Sequence, residues 1–213
     1  MPPSLCDCEV IALRIIAGQA RGKTIKAPKG TKTRPTTDRV REAIFSTLNP
    51  FLEDAVVLDA FAGSGALGIE ALSRGAAQAV FCEKDRQALA VIRENLAATG
   101  FDRYAGVCPG STEQILQRLS GFDVVLLDPP YNRGLIAAIE PRLLAEGFLR
   151  EGAVVMLETA SKEPELFADP AWELYKTRIY GDTAVYYYGL QRSVCDDSAD
   201  SGASDSKSAG DDL

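Results

Sequence analysis

Short apolar runs and amphipathic segments take turns along the middle of this chain. Runs rich in apolar and β-branched residues predict β-strands at residues 55–60, 78–83, 104–108, 122–128 and 153–159. Segments whose apolar positions recur every three or four residues predict helices at residues 64–74, 85–99, 111–119 and 133–146. Repeated strand–helix units of this kind predict an α/β fold with a mostly parallel sheet.

Two further strand-like runs follow the alternating region. They cover residues 172–180 and 183–190, and Gly181-Asp182, a dipeptide typical of tight hairpin turns, joins them. We therefore expect a C-terminal hairpin that adds one antiparallel strand to the sheet.

The N-terminal part of the chain predicts a smaller unit. Short strand-like runs around Gly18 and Gly22 predict a β-hairpin. A helix capped by Thr36 or Thr37 is expected to follow and to run to about Leu48.

This helix is predicted to have one apolar face. Val40, Ile44 and Leu48 recur at four-residue spacing, so they should pack together on the body of the protein. With these three residues facing the body of the protein, Arg39 and Arg41 are expected on or near the outer face of the helix.

These features divide the chain into four parts. We expect an N-terminal extension over residues 1–12, a basic hairpin and helix over 13–50, an α/β domain over 51–192 and an acidic tail over 193–213. The tail consists mainly of Ser, Asp, Gly and Ala, which bury too little apolar surface to offset the entropy lost on ordering. It is expected to be disordered.

The composition narrows the possible chemistry. The chain has no histidine, which excludes Ser-His-Asp and Cys-His machinery and histidine-ligated zinc. Its five scattered cysteines fit a reducing cytosol better than a disulfide scaffold. No apolar run approaches the roughly 20 residues needed to cross a bilayer, and a signal-peptide pattern is absent. We expect a cytoplasmic monomer without a metal site or membrane contact.

Charge is distributed unevenly along the chain. The formal net charge of all 213 residues is −7, which on its own argues against a nucleic-acid partner. Residues 14–41, however, carry nine cationic side chains and one carboxylate, whereas the segments after them are acidic. The acidic total therefore hides a basic segment that can bind nucleic acid.

A glycine-rich segment follows the first strand of the α/β region. Gly63, Gly65 and Gly68 match G-x-G-x-x-G between a strand and a helix, and Glu83 ends the next strand. This pattern favours a nucleotide-like cofactor whose ribose hydroxyls Glu83 would bind. A nicotinamide cofactor and S-adenosylmethionine (SAM) both fit. Asp59 favours SAM, because a carboxylate there suits the cationic amino group of its methionine part.

A further candidate contact lies after the third strand of the α/β region. Gly110-Ser111 is placed to border the adenine of such a cofactor. Ser111 can also form a capping box with Gln114 for the following helix, so a structural role stays open.

The fourth strand of the α/β region ends in Asp128-Pro129-Pro130-Tyr131, which we call the DPPY loop. The prolines stiffen the loop, and the Asp128 carboxylate and the Pro129 carbonyl can accept both N–H bonds of an exocyclic amine. Tyr131 offers a ring on which a base can stack. Such acceptors pyramidalise the amine nitrogen and aim its lone pair at a methyl group, without a metal or a histidine.

Taken together, these segments resemble the RsmD family of bacterial 16S rRNA guanine-N2 methyltransferases. The resemblance is carried by RIIAGQARG (14–22), TRPTTDRVREAIF (33–45), LDAFAGSGALGIEALSRGA (58–76), FCEKD (81–85) and FDVVLLDPPY (122–131). It implies a Rossmann-like class I SAM-dependent methyltransferase domain with a small N-terminal β-hairpin extension. It also implies methyl transfer to N2 of one guanine in 16S rRNA, within the small ribosomal subunit or an assembly intermediate.

The resemblance assigns roles to three groups of residues by position. The cofactor would be held by Asp59, Ala62, Gly63, Gly65, Glu83 and Ser111. The target amine and base would be held by Asp128, Pro129, Pro130 and Tyr131. RNA contacts would be made by Lys32, Arg34, Arg39 and Arg41.

Three alternatives remain open. A DNA adenine-N6 methyltransferase could use the same DPPY loop, although the chain leaves only its basic N-terminal part for target recognition. An NAD-dependent dehydrogenase fits the glycine pattern but lacks a candidate His or Lys acid beside a substrate pocket. A non-enzymatic RNA-binding module would use the basic segment and would have no need of the DPPY loop.

Overall fold

The computed structural model describes residues 12–28, 37–131 and 133–191, so the predicted tail and most of the predicted extension lie outside the described residues. The strands are β1 (Ala12–Arg14), β2 (Thr24–Lys26), β3 (Val56–Asp59), β4 (Gln78–Glu83), β5 (Ala105–Pro109), β6 (Phe122–Leu127), β7 (Leu149–Ala160), β8 (Trp172–Tyr180) and β9 (Thr183–Leu190). The helices are α1 (Asp38–Leu48), α2 (Ala66–Ser73), α3 (Arg86–Thr99), α4 (Thr112–Leu116) and α5 (Leu135–Leu143). Among these residues, no helix is both long enough and apolar enough to cross a membrane.

Strands β3 to β9 form one sheet in the order β5-β4-β3-β6-β7-β9-β8. The neighbours among β3 to β7 pair in parallel, whereas β9 is antiparallel to both β7 and β8. β1 and β2 form a separate antiparallel hairpin. The predicted mostly parallel sheet, its C-terminal antiparallel hairpin and the small N-terminal hairpin are confirmed.

Local capping residues set the ends of the helices. Thr37 caps α1, because its side-chain oxygen accepts a hydrogen bond from the Val40 N–H at 3.4 Å. Asp85 caps α3 by accepting from two N–H groups of the first turn. Gly100 ends α3 in the left-handed conformation, with φ of +84°, where a side chain would be strained.

Several elements differ from their predicted bounds, and for β7 and α5 the reason is local. β7 begins at Leu149 instead of residue 153, because the strand extends through an irregularity in its register with β6 across the polar residues 150–152. α5 begins at Leu135, later than predicted, because Gly134 precedes it in the left-handed conformation with φ of +63°. α4 is also shorter than predicted and ends at Leu116.

The N-terminal hairpin is docked on α2 by buried polar side chains. The Glu70 carboxylate accepts from the N–H of Ile16 at 2.8 Å and of Ala17 at 3.0 Å. Ser73 Oγ accepts from a third hairpin N–H at 2.9 Å. Gly18 has φ of +79°, and a Cβ on it would lie 1.7 Å from the carbonyl oxygen of Ser73, so the close approach requires glycine.

Hydrophobic side chains pack in two clusters, one on each face of the sheet. Ile25 of the hairpin and Phe45 of α1 belong to the same cluster as Val57 of β3 and Phe81 of β4. The hairpin and α1 therefore share a core with the sheet. A domain boundary at residue 50, which would divide this core, stays a prediction.

Candidate active site

The parallel strands of the sheet end together at one edge, and three carboxylates lie there. Asp59 ends β3, Glu83 ends β4 and Asp128 directly follows β6. β3 and β6 are neighbours, and the chain runs from β3 toward β4 but from β6 toward β7, so the two connections leave in opposite directions at this point. Because ligands of open α/β sheets bind in the crevice formed at such a switch point, this edge is the candidate active site.

The glycine loop, residues 60–65, joins β3 to α2. Gly63 and Gly65 have φ values of +54° and +77°, a region that other residues rarely adopt. Gly68, in the first turn of α2, lies against Phe81, and a Cβ on it would come within 2.3 Å of that ring. The first two glycines therefore shape the loop, and the third lets α2 pack closely on β4.

Glu83 is hydrogen-bonded to the glycine loop as well as to its own turn. Its Oε2 accepts from the Gly63 N–H at 2.9 Å. Its Oε1 accepts from the N–H groups of Lys84 and Asp85, both at 2.8 Å. The side chain is half-buried, so the carboxylate fixes the loop and keeps surface toward the crevice. Since a carboxylate offers about four lone-pair sites, a further donor such as a ribose hydroxyl can still bind.

Asp59 is only 1% exposed and lies beneath the glycine loop. Its Oδ2 accepts from the Gly68 N–H at 2.9 Å. The pKa of this carboxyl is raised to about 7, mainly by burial and also by the nearby Asp128 and Glu83 carboxylates, against the effect of the Gly68 hydrogen bond. A cation bound next to Asp59 would relieve this accumulation of negative charge.

Ala62 and Ser111 occupy backbone positions around the same crevice. Ala62 is buried, and its N–H donates to the carbonyl of Cys82 at 3.0 Å. Ser111 is the N-cap residue of α4, but its side chain makes no capping hydrogen bond, so the capping box considered for Ser111 and Gln114 does not form. The structural role considered for Ser111, capping of the following helix through its hydroxyl, is therefore not observed.

The DPPY loop borders the crevice on the β6 side. Asp128 is partly exposed, although the protein surrounds its carboxyl closely enough for burial to raise its pKa. Pro129 is buried and Pro130 is half-buried. Tyr131 is 41% exposed, and its hydroxyl lies near the Thr183 side chain at the start of β9. The loop thus presents a carboxylate and an accessible ring at one place.

Glu158 and Thr112 are two polar residues near the site that the sequence analysis missed. Glu158, which is buried in β7, lies one position beyond the paired residues of β6 and β7 and therefore beside Asp128. Its charge helps to raise the pKa of Tyr131, for which burial is the larger cause. The Thr112 hydroxyl donates to the Ala60 carbonyl at 2.6 Å and ties α4 to the glycine loop. An acid inside an apolar strand was a signal for Glu158, whereas nothing in the sequence marks Thr112.

The two described arginines of the predicted RNA-binding set lie in different environments. Arg39 is exposed on α1, as predicted. Arg41 is only 1% exposed, so its placement on or near the outer face was wrong. Lys32 and Arg34 lie outside the described residues.

Arg41 is buried because α1 has a different phase from the one predicted. Residues 41, 44, 45 and 48 form its buried face, and Val40 is half-buried. The Arg41 guanidinium donates to the Arg14 carbonyl and to Asp38 Oδ1, the latter at 3.0 Å, and so joins α1 to β1. Burial lowers its pKa, against the nearby Glu70 and Asp38 carboxylates.

The sheet order, the switch-point crevice, the glycine loop and the acids at the strand ends together define a class I methyltransferase fold. Comparisons with known proteins agree. A family model described as Conserved hypothetical protein 95 matches residues 13–189, nearly all of the described chain. The chain therefore belongs to this family, which is the RsmD family that the sequence resembles.

Individual relatives match over most of their length. Ribosomal RNA small subunit methyltransferase D of Escherichia coli is 37% identical over 176 residues, covering 83% of this chain and 89% of the relative. YlbH of Bacillus subtilis is 37% identical over 182 residues, covering 83% of this chain and 98% of the relative. The solved structure of E. coli yhhF is 38% identical with a TM-score of 0.77, covering 84% of this chain and 98% of that one.

Proposed function

We propose that this protein transfers a methyl group from SAM to the exocyclic N2 amine of one guanine in the rRNA of the small ribosomal subunit. The observation that carries the proposal is the meeting of the glycine loop with the DPPY loop at adjacent strand ends. One loop suits a nucleotide-like methyl donor, and the other suits a planar base with an amine. The rRNA methyltransferase relatives support the choice of acceptor.

On the cofactor side, the chain supplies residues that fit SAM. Glu83 would accept from the ribose hydroxyls, and Asp59 would bind the amino group of the methionine part. The raised pKa of Asp59 supports this role, because a carboxyl that is costly to ionise when alone gains most from a cationic partner. Ala62, Gly63 and Gly65 would line the cofactor through their backbone, and Ser111 would border the adenine. SAM supplies the electrophilic methyl group.

On the target side, the DPPY loop would hold and activate the amine. The lone pair of an exocyclic amine is delocalised into the base, which makes the nitrogen a poor nucleophile. The Asp128 carboxylate and the Pro129 carbonyl would accept its two N–H bonds and leave the lone pair directed at the methyl group. The negative charge of Asp128 would also stabilise the positive charge that develops on the nitrogen as its bond to the methyl carbon forms and the sulfur–methyl bond breaks. The leaving group is S-adenosylhomocysteine, and the nitrogen becomes neutral again when one of its N–H protons passes to solvent.

Tyr131 would hold the plane of the base. Its exposed ring offers a stacking surface, and base–aromatic stacking contributes about 1–3 kcal/mol. Holding the two reactants in line can lower the barrier by about 7–11 kcal/mol, so positioning supplies much of the catalysis without a histidine.

RNA would approach across the basic N-terminal part. Arg39 is exposed on α1 and can pair with phosphate, and Lys32 and Arg34 remain proposed contacts in the same basic segment. Arg41 would contribute by fixing α1 to β1. A base held within an RNA helix would have to leave its stack, at a cost of a few kcal/mol, before reaching the DPPY loop.

The direct test is methyl transfer to purified small ribosomal subunits and to their naked rRNA, with labelled SAM. We expect label at one guanine, and mapping the modified nucleotide identifies it. If DNA is offered as the substrate instead, label on its adenine would favour the adenine-N6 alternative. Tight binding of NAD without binding of SAM would contradict the proposal altogether.

A further inference from the structure

Asn95 lies between the N-terminal hairpin and the glycine loop. It belongs to α3 and is only 1% exposed. Its Oδ1 accepts from the Lys26 N–H at 2.8 Å, and its Nδ2 donates to the Lys26 carbonyl at 2.9 Å. The second N–H of Nδ2 donates to the Ser64 carbonyl, also at 2.9 Å. One side chain thus joins β2 to the centre of the glycine loop.

The Lys26 peptide fixes the orientation of the Asn95 amide. A side-chain amide has one acceptor oxygen and two N–H donors, and Lys26 pairs with one of each. The remaining N–H then points at Ser64. The reversed amide would place its oxygen against two carbonyls and its nitrogen against an N–H, so the observed orientation alone satisfies the three partners.

The other polar residues that dock the hairpin do not share this arrangement. The hydrogen bonds of Ser73 go to the hairpin, and those of Glu70 go to the hairpin and to Arg74. Asn95 makes two hydrogen bonds to the hairpin and adds one to Ser64. Loss of hairpin docking and loss of loop positioning can therefore be separated by comparing Asn95 with Ser73.

We propose that Asn95 is a positioning residue that holds the glycine loop in the conformation that binds the cofactor. Ser64 lies between Gly63 and Gly65, the two residues with positive φ, where the backbone has the most freedom to change. A fixed hydrogen bond at Ser64 restrains both of them. The consequence for cofactor affinity rests on the proposed function, whereas the restraint on the loop does not.

The test compares Asn95→Leu with two control variants. Thr99→Val removes a buried hydroxyl from the same helix that bonds only within α3, and Ser73→Ala removes a hairpin contact. Loss of the buried hydrogen bonds of Asn95 should weaken S-adenosylhomocysteine binding about tenfold, measured by calorimetry. Binding by both controls should stay within about twofold of wild type, and kcat at saturating SAM should fall much less than affinity in Asn95→Leu.

Hydrogen exchange supplies a readout that needs no cofactor. In Asn95→Leu, the Gly65 amide, which donates to the Ala62 carbonyl, should exchange faster than in wild type. In Ser73→Ala, faster exchange should be confined to the hairpin. If Asn95→Leu does not fold, Asn95→Asp keeps the acceptor for Lys26, removes both donors and should show the same loop exchange.

The outcomes distinguish the positioning role of Asn95 from the proposed function. Equal loop exchange in Asn95→Leu and Ser73→Ala would overturn the positioning role, as would an unchanged affinity in a wild-type protein that binds S-adenosylhomocysteine. If wild type binds neither SAM nor S-adenosylhomocysteine, the proposed function fails. Faster exchange of the glycine loop in Asn95→Leu, without the same change in Ser73→Ala, would then still support the inference about Asn95.

Discussion

The proposed cofactor side and the proposed target side of the crevice are built in different ways. On the cofactor side, Asp59 and Glu83 already accept hydrogen bonds from backbone N–H groups, and the glycine loop is tied to its surroundings. On the target side, Asp128 and Tyr131 keep exposed surface, and Tyr131 lies near Thr183 from a distant part of the chain. Backbone hydrogen bonds preorganise the first side. The second side presents a carboxylate and a ring that would find their partners only in a bound substrate.

The difference predicts that variants on the target side stop transfer without affecting the cofactor. Asp128→Ala should lower kcat by about 10²- to 10³-fold or more, because it removes the charged acceptor of the amine. The affinity for S-adenosylhomocysteine should stay within about twofold. Single-turnover transfer and calorimetry measure the two quantities. Near-wild-type turnover would remove Asp128 from the mechanism.

Tyr131 should show a smaller effect of the same kind. Tyr131→Ala should lower kcat/KM for RNA by about tenfold or more, through the loss of base stacking. Tyr131→Phe keeps the ring, loses only the hydroxyl near Thr183 and should stay within about fivefold of wild type. Equal losses in the two variants would mean that the hydroxyl, and not the ring face, carries the effect.

Asp59 should behave in the opposite way, as a residue of the cofactor side. Asp59→Asn should weaken S-adenosylhomocysteine binding about tenfold, because it removes a charge from the amino-group site. In wild type the free carboxyl has a pKa raised to about 7, and the bound ammonium favours its ionised form. Affinity should therefore rise with pH and level off above about 7, with proton release below it. Calorimetry across pH should show this slope in wild type and a flat profile in Asp59→Asn.

A stability measurement provides the control for Asp59. Because the folded-state pKa lies above the unfolded value of 3.8, Asp59 lowers stability increasingly as pH rises toward about 7. Asp59→Asn should therefore unfold at a higher temperature than wild type near pH 8 and gain little near pH 4. A lower melting temperature near pH 8 would mean that the carboxylate stabilises the fold.

The smallest expected effect concerns the approach of RNA. Arg39→Ala should weaken RNA binding about two- to threefold at low salt and reduce the salt dependence by about one phosphate contact. Its melting temperature should be unchanged, because the side chain is exposed. A salt dependence equal to that of wild type would exclude a phosphate contact by Arg39.

Arg41 provides the matched contrast on the same helix. Arg41→Ala should cost about 2 kcal/mol of stability, since it breaks buried hydrogen bonds to Arg14 and Asp38. Differential scanning calorimetry on the two variants would measure this difference. Equal melting temperatures for Arg39→Ala and Arg41→Ala would contradict the buried role of Arg41.

The sequence predicts the geometry around the glycine loop better than that around the DPPY loop, for a physical reason. The positions of the glycine loop and Glu83 are set by local backbone conformation and by one neighbouring strand. The spacing of these residues along the chain therefore predicts their geometry. The partners of the target side do not follow from spacing. Thr183 and Glu158 come from distant strands that only the folded sheet brings to the DPPY loop.

The same reasoning explains the elements that the sequence describes well and those it does not. β4, β8 and β9 were predicted at their observed bounds, because apolar alternation and a tight turn define them. Arg41 was misplaced because its buried side chain pairs with the Arg14 carbonyl and with Asp38, so charge alone did not indicate exposure. No sequence pattern marks Asn95, because its three hydrogen-bond partners come together only in the folded chain. They are the N–H and the carbonyl of Lys26 and the carbonyl of Ser64.

The most direct test of the central claim replaces the target guanosine by inosine in an RNA that this protein methylates. Inosine lacks the N2 amine and otherwise keeps the hydrogen-bonding edge of guanine. If the DPPY loop acts on that amine, single-turnover transfer from labelled SAM should fall to background on the inosine RNA, while binding of the RNA is retained. Continued transfer to the same nucleotide would contradict N2 as the acceptor.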